Sequence, residues 1–464
     1  MPIISTTREA SGTPTKSAME QFGRDLRGQL LRPGETGYDT ARTIWNAMVD
    51  KRPAMIARCA GVADVIRSVN FARNHGLLLS VRSGGHNVAG NAVCDGGLMI
   101  DLSLMRAIRV DAPRRTARAE GGCTWRDLDQ ETAAFGLATT GGIIPATGIG
   151  GLTLGGGLGW LMRKHGLSCD NLLSADVVLA NGELVAASPT ENSDLFWGLR
   201  GGGGNFGIVT SFQYRLHPVD QVLGGMLVHP LERAHEVLRH LREFTRTAPD
   251  ELVCMAVLLT GPDGAKILAV VTCYCGPVEQ GERVLRPLRQ FGPPAADQIA
   301  TIPYVQLQGL LEAGFPPGLQ NYWKSSFLRD LGDEAIAVAI EAFRHVPSPS
   351  SAIAFEQLGG AMSRVGENDS AFGHRNAPFN FLVVSSWPDP ADNSKHIGWT
   401  RSLAEAMQPF SAGGVYVNYL GHEADEGRDR IRAAYGAAKY ERLLALKKKY
   451  DPGNLFRINQ NIRP

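Results

Sequence analysis

The sequence has no Cys-x-x-Cys pair, and its seven cysteines stand apart at 59, 94, 123, 169, 254, 273 and 275. An odd, scattered set argues against a disulfide framework and against a cysteine-ligated metal site. Cys273 and Cys275 share one face of the run Ile267–Cys275, which reads as a strand, and are expected to form a buried thiol pair. No stretch reaches the roughly 18 uninterrupted apolar residues of a membrane span, so no membrane association is expected. Met1–Lys16 is polar and lacks the apolar core of a signal peptide, which makes the cytoplasm the expected compartment. Charge of one sign is missing as well. Lys and Arg number 47 against 46 Asp and Glu, leaving +1, so there is no electrostatic footprint for nucleic acid. No G-x-x-x-x-G-K-[ST] string occurs, which excludes a P-loop.

Glycine is what the chain has in excess: 54 residues of 464, where about 7% is usual. Twenty-five of them fall between 80 and 215, and only 20 in the longer segment from 216 to 430. Glycine is costly inside regular elements, so such clustering points to backbone pressed close against a ligand or to many tight turns. The clusters fall at element ends. Asp64–Asn74 has a helical apolar stripe stopped by Gly76, and Leu77–Val81 follows as a strand that exits into Arg82-Ser83-Gly84-Gly85-His86-Asn87. Strands are expected over Leu98–Leu102 and Arg115–Glu120, then a helix to Phe135 behind a Thr124/Asp127 capping box. Between Gly141 and Gly166, ten of 26 residues are glycine. Asp176–Ala187 reads as a hairpin with a type I′ turn at Asn181-Gly182. Asn192 reads as the cap of a helix to Leu199, and Ile208–Leu216 as an alternating strand. Gly202–Gly207 satisfies G-x-G-x-x-G, but a helix precedes it and a strand follows, the reverse of the order a dinucleotide fold requires.

The rest has ordinary composition. Helices are expected over His229–Thr245, Glu279–Phe291, Glu334–His345, Ser394–Met407 and Ile431–Tyr450. Strands are expected over Val253–Leu259, Ile267–Cys275, Ala352–Gln357 and Phe379–Trp387. This alternation predicts an α+β domain with helices on one sheet face. Lys447–Lys449 reads as a solvated helix face, and His374-Arg375 as a solvated loop or a substrate contact.

The Arg82–Asn87 loop, Gly155-Gly156-Gly157-Leu158-Gly159, Met162–Asn171, Leu195–Gly207 and Tyr450–Ile462, in this order, resemble the flavin-linked oxidases with a vanillyl-alcohol-oxidase (PCMH-type) FAD domain. The likeness is to the berberine-bridge-enzyme-like branch and its bacterial 6-hydroxynicotine oxidase type, and it extends over nearly the whole chain. It implies an α+β, two-domain fold: an FAD-binding domain over 1–218, an inserted substrate domain over 219–425 built on an antiparallel sheet covered by helices, and a tail, 426–464, returning to the FAD domain.

By the same resemblance the cofactor is FAD, joined covalently through His86, with Arg82, Ser83, Gly84, Gly85 and Asn87 wrapping the pyrophosphate. Gly148, Gly150, Gly151, Gly155, Gly156 and Gly157 would pass close to it. Ile208 would meet the adenine side, and Asn459 and Asn461 the flavin edge. A second, cysteine linkage of some members is not expected, because Ile144 stands at its position in Ile144-Pro145-Ala146-Thr147-Gly148. The gatekeeper for oxygen matches Thr147, whose small size goes with oxidases. Tyr416-Val417-Asn418-Tyr419 matches a Tyr-x-Asn-Tyr strand that carries a base. On a regular strand the two tyrosines would point to opposite faces, and Tyr419 is the preferred base, with a pKa the site would have to depress. Glu356 and Gln357 adjoin Gly359-Gly360 at a strand end, and Gln357 is a candidate pocket donor. The implied function is oxidation of a C–OH or C–N bond of a small sugar, alkaloid, polyketide or phenolic alcohol, with molecular oxygen as acceptor and hydrogen peroxide as product. Alternatives on the same scaffold are a dehydrogenase, an oxidative cyclase or a non-catalytic FAD-binding subunit.

Overall fold

The computed structural model describes residues 14–421 and 427–464. Most of the polar N-terminal segment and the junction expected at 425/426 lie outside the described residues. A four-stranded sheet runs in the order Gln29–Leu31, Met55–Arg58, Leu98–Asp101, Leu79–Arg82, its last three strands parallel. An antiparallel five-stranded sheet follows, ordered Ile108–Asp111, Thr116–Glu120, Ile208–Arg215, Leu172–Val178, Leu184–Ala187. The chain then enters an eight-stranded antiparallel sheet between Gln221 and Trp387, whose centre runs Lys266–Tyr274, Leu252–Thr260, Ala352–Gln357, Phe379–Trp387, Gln320–Leu328.

Strand alternation divides the large sheet between two cores. Cys254, Ala256, Ile353, Phe355 and Phe381 face the helices Ala234–Thr245, Val278–Gln290, Asp333–Arg344 and Asn393–Ala406. Val253, Met255, Ala354 and Leu382 face the other way, onto Leu158, Trp160, Leu161 and Tyr416. A side chain one position along therefore sits against a different half of the molecule. Among the described residues no helix is long and apolar enough to cross a membrane.

Most expected elements are present. Helix Val62–Asn74 ends before Gly76 at φ +64°, and Trp125–Ala133 begins at a complete Thr124/Asp127 capping box. The segment Leu195–Gly207 keeps its helix-then-strand order, Ser193–Leu199 before Ile208–Arg215. Several details differ. The hairpin closes through Leu179–Glu183 with Gly182 at φ +85° and no positive φ at Asn181, so the turn is not type I′; the Asn181 side chain instead accepts from the Glu183 amide. Asn192 precedes its helix in a left-handed conformation and donates to the Ala186 carbonyl rather than capping.

The helix expected from His229 starts at Ala234, because Gln221–Pro230 is a strand. That strand and Gln320–Leu328 went unread, as both are largely buried and carry little alternation. The tail helix is two, Gly427–Tyr435 and Ala437–Tyr450, divided at Gly436 with φ +79°. Lys447 is not solvated. It is fully buried, paired with Asp451 at 2.7 Å, and donates to the carbonyls of Asn205 and Phe456, both at 2.8 Å, tying the tail to the glycine loop. Arg375 is likewise buried, in a salt bridge with Asp170 at 2.7 Å.

Candidate active site

One cavity of about 300 Å³ runs between the glycine-dense part and the large sheet. Its floor is backbone. Gly84 and Gly148 meet so closely that a Cβ on Gly84 would lie 2.3 Å from the Gly148 nitrogen, and one on Gly148 2.2 Å from the Gly84 nitrogen. Gly85, at φ +70°, turns the loop back, and the Ser83 hydroxyl pins it by donating to the Gly121 carbonyl at 2.7 Å. Gly148, Gly150 and Gly151 carry the first turn of helix Ile149–Leu154 along the wall, where amides have no partner within a helix. Asn87, Ile208, Asn459 and Gln460 complete this side. Among the described residues none of the lining side chains is Lys, Arg, Asp or Glu. A backbone-walled cavity with no charged side chain in its described lining suits a dinucleotide whose phosphates are met by main-chain N–H groups. The Asn459 side-chain oxygen Oδ1 is buried in this wall without a partner among the described residues, an acceptor suited to a ring N–H or amino group of such a ligand.

His86 lines the cavity and stacks on Trp45, with centroids 4.7 Å apart and planes within 17°. Burial pushes its pKa down to about 4, so the ring is neutral at physiological pH and keeps a nitrogen lone pair. Trp323 meets Trp45 edge-on at 5.5 Å and Tyr419 at 5.7 Å. An aromatic chain thus connects His86 to the roof, where Phe315, Trp323, Leu382 and Tyr419 descend from the sheet side. Thr147 is half-buried on the same wall, its amide bonded to the Ile144 carbonyl.

The Tyr-x-Asn-Tyr segment is not a strand. Val417–Tyr419 forms a 3₁₀ turn, in which residues three apart stand above one another, so Tyr416 and Tyr419 are neighbours with rings 4.8 Å apart and nearly perpendicular. Their roles separate. The Tyr416 oxygen accepts from the amides of Gly157 and Leu158, at 2.9 and 3.3 Å, and from the Asn418 side chain at 2.8 Å; it anchors the glycine turn. The Tyr419 hydroxyl donates to Glu356 Oε1 at 3.0 Å, and Asn380 Nδ2 donates to Glu356 Oε2 at 2.6 Å. Burial raises the Glu356 pKa to about 7, with the two donors opposing the rise. The expected depression of Tyr419 is reversed: burial and the facing carboxyl push it well above the usual phenol value. An ionised Tyr419 is thereby disfavoured, and the proton acceptor of the pair is the carboxyl.

Other residues expected at the site lie away from this lining. Gln357 is on the opposite strand face from Glu356; it accepts from the Cys254 amide at 3.0 Å beneath the helices and does not line this cavity. Arg82 is off the wall and donates to the Ala41 carbonyl. Gly155, Gly156 and Gly157 lie behind the wall, where a Cβ would strike Asn418, Phe372 and Ser168 respectively. Asn461 is off the lining, with its side-chain oxygen Oδ1 buried and without a partner among the described residues. Trp45, Phe315, Trp323, Glu356 and Asn380 are the residues the motifs missed; only the adjacency of Glu356 to Gln357 at a strand end pointed toward one of them.

The FAD binding domain family matches residues 53–188, and the berberine and berberine-like family residues 415–463. An FAD-linked oxidoreductase of Dictyostelium discoideum is 36% identical over 96% of this chain and 97% of its own. The (R)-6-hydroxynicotine oxidase of Paenarthrobacter nicotinovorans is 32% identical over 95% and 97%. Among solved structures, 6-hydroxy-D-nicotine oxidase from Arthrobacter nicotinovorans aligns with a TM-score of 0.87 at 31% identity, covering 95% of this chain and 98% of that one. A chitooligosaccharide oxidase aligns at 0.85 and 27% identity, covering 97% and 99%.

Proposed function

The chain belongs to the berberine-bridge-enzyme-like family of FAD-dependent oxidoreductases acting on small molecules, and on that premise we propose that it is an oxidase carrying its flavin on His86 alone, oxidising a C–OH or C–N bond and passing the electrons to oxygen to release hydrogen peroxide. The observation that carries this reading is the meeting, in one cavity, of a neutral imidazole at His86 and the Tyr419 ring, whose hydroxyl is backed from behind the lining by Glu356. FAD, when bound, supplies a two-electron acceptor that oxygen can reoxidise. His86 has no hydrogen-bond partner among the described residues, which suits a nucleophilic nitrogen held for covalent attachment. Ile144 offers no thiol for a second bond.

The proton chemistry falls to the roof. Tyr419 takes the substrate hydroxyl or amine proton at its phenol oxygen while its own proton passes to Glu356 Oε1, the carboxyl being poised near neutrality. Leu382, Phe315 and Trp323 give that transfer apolar and aromatic surroundings. The small side chain of Thr147 on the cavity wall would leave oxygen room beside a bound cofactor, where a leucine would not.

The native protein is expected to be yellow and to keep its colour in an acid-denatured pellet, and His86→Ala to release the colour or fail to retain it. Anaerobic bleaching is then screened with 6-hydroxynicotine, a chito-oligosaccharide and an aryl carbinol, and the reduced protein is mixed with aerated buffer. Colour retained in the denatured variant's pellet rules out His86 as the sole link. Slow reoxidation of the native protein replaces the oxidase by a dehydrogenase.

A further inference from the structure

We propose that Asn380 is a positioning residue for the acid–base pair: its side-chain amide holds the Glu356 carboxyl in the ionised, proton-accepting state and directs the incoming proton to the oxygen that faces Tyr419. The proposal rests on the reading of Tyr419 and Glu356 given above and assigns the part that reading leaves open, namely what keeps a buried carboxyl available as a base.

The placement follows from sheet register. Glu356 and Asn380 are directly opposed on neighbouring antiparallel strands, where a short side chain spans the gap to its partner. Both lie on the face turned toward the cavity, one step out of phase with Phe355, Phe379 and Phe381, which pack under the helices. Asn380 is fully buried, and its Oδ1 has no partner among the described residues. A leucine of similar size would bury there without an orphaned acceptor, so packing alone gives no reason for an amide. The reason lies in the other end of the group: Nδ2 donates to Glu356 Oε2 at 2.6 Å.

The groups facing the carboxyl are few. The residue opposite on the other neighbouring strand is Met255. From the 3₁₀ turn comes Tyr419, with Tyr416 behind it. Among the described residues no lysine, arginine or histidine is paired with Glu356 to stabilise its charge. Two neutral donors do that instead, one on each oxygen. Because Oε2 is committed to the amide, the free place for a proton is Oε1, where the Tyr419 hydroxyl already points. The Asn380 amide thus sets both the readiness of the base and the atom it uses, without touching substrate.

The test reads Glu356 directly in the flavin-loaded protein. pH-difference infrared spectra follow the carboxyl band that vanishes in Glu356→Gln. In the native protein its midpoint is expected near 7. Asn380→Leu removes the donor and is expected to move the midpoint up by about one unit. Asn380→Ala, smaller and easier to accommodate, is expected to move it the same way. The acidic limb of the pH profile for anaerobic flavin reduction, using the panel compound that bleaches the native protein fastest, is expected to shift by a matching amount, with the rate recovering at high pH. A midpoint within a few tenths of native in a folded Asn380 variant overturns the proposal, even if activity or melting temperature falls. Undiminished flavin reduction in Glu356→Gln overturns the underlying acid–base reading, and Asn380 with it; a slow Glu356→Gln beside an unmoved Asn380→Leu midpoint overturns Asn380 alone.

Discussion

On one side of the cavity Gly84 and Gly148 meet backbone to backbone, whereas on the other Tyr419 lines it and is backed in turn by Glu356 and Asn380, three side chains supplied by separate segments. The first wall works by what is missing: any Cβ at the contact would displace main chain, so the requirement is for no side chain at all. The second works by identity, since each of its three groups donates or accepts at a particular atom. A wall of amides suits a ligand with phosphates and ring edges, whatever the substrate; a phenol and a carboxyl suit the bond being oxidised. The two walls should therefore fail differently when altered, one in binding and the other in rate.

The largest effect is expected from the first wall. Gly84→Ala places a methyl 2.3 Å from the Gly148 nitrogen, a contact that only backbone movement can relieve. The expected outcome is a protein with little or no FAD, read as the ratio of flavin to protein absorbance, and with a lowered melting temperature. Near-full flavin content would mean that the two loops do not need to touch.

The second wall should give a large kinetic effect with binding intact. Tyr419→Phe keeps the ring against Trp323 and removes the proton path to Glu356. Anaerobic flavin reduction is expected to slow by about 10²–10⁴-fold at unchanged FAD content. Tyr416→Phe sharpens the contrast. It frees the amides of Gly157 and Leu158 from their acceptor, so stability and flavin retention should fall more than the reduction rate per bound flavin. The reverse pattern in the two variants would exchange the roles of the tyrosines.

The first wall was legible in the sequence and the second largely was not, for physical reasons. Gly84, Gly85 and Gly148 stand out because glycine is costly unless backbone must come close, and the loops that carry them lie at element ends. Helix Trp125–Ala133 and strands Ala352–Gln357 and Phe379–Trp387 were readable from caps and apolar runs. The choice between Glu356 and Gln357 was not. Both are buried, the strand is covered on both faces, and only long-range packing decides which parity meets the cavity. Arg82 and Gly155–Gly157 belong to the right motifs yet stand behind the wall. Lys447 looked solvated as one of three lysines, and its burial depends on Asp451 and on carbonyls from distant loops.

A second buried acid tests how far the two sides depend on each other. Asp129, on helix Trp125–Ala133 of the glycine-dense part, accepts from Gln308 Nε2 at 2.8 Å; Gln308 ends helix Tyr304–Gln308 and also donates to the Gly142 carbonyl on the cavity wall, at 3.2 Å. Burial raises the Asp129 pKa from 3.8 to about 7. Asp129 Oδ1 and Gln308 Oε1, both acceptors, are buried without partners, which a proton on Asp129 or an amide in its place would remedy. The folded state therefore holds a proton that the unfolded chain gives up above its ordinary carboxyl pKa. The stability tied to that proton is complete below about pH 4 and is lost as pH rises toward 7. Asp129→Asn supplies the missing N–H permanently. Its melting temperature is expected to match the native protein near pH 4 and to exceed it at pH 8, by about 2–4 °C for each kcal/mol in domains of 150–250 residues and less in a longer chain. Reduction rate should change little, because Asp129 bonds to Gln308 and not to the Tyr419–Glu356 pair. Parallel melting profiles for the two proteins from pH 4 to 8 would show that Asp129 is ionised in the folded state, and that the link between the two walls does not depend on its proton.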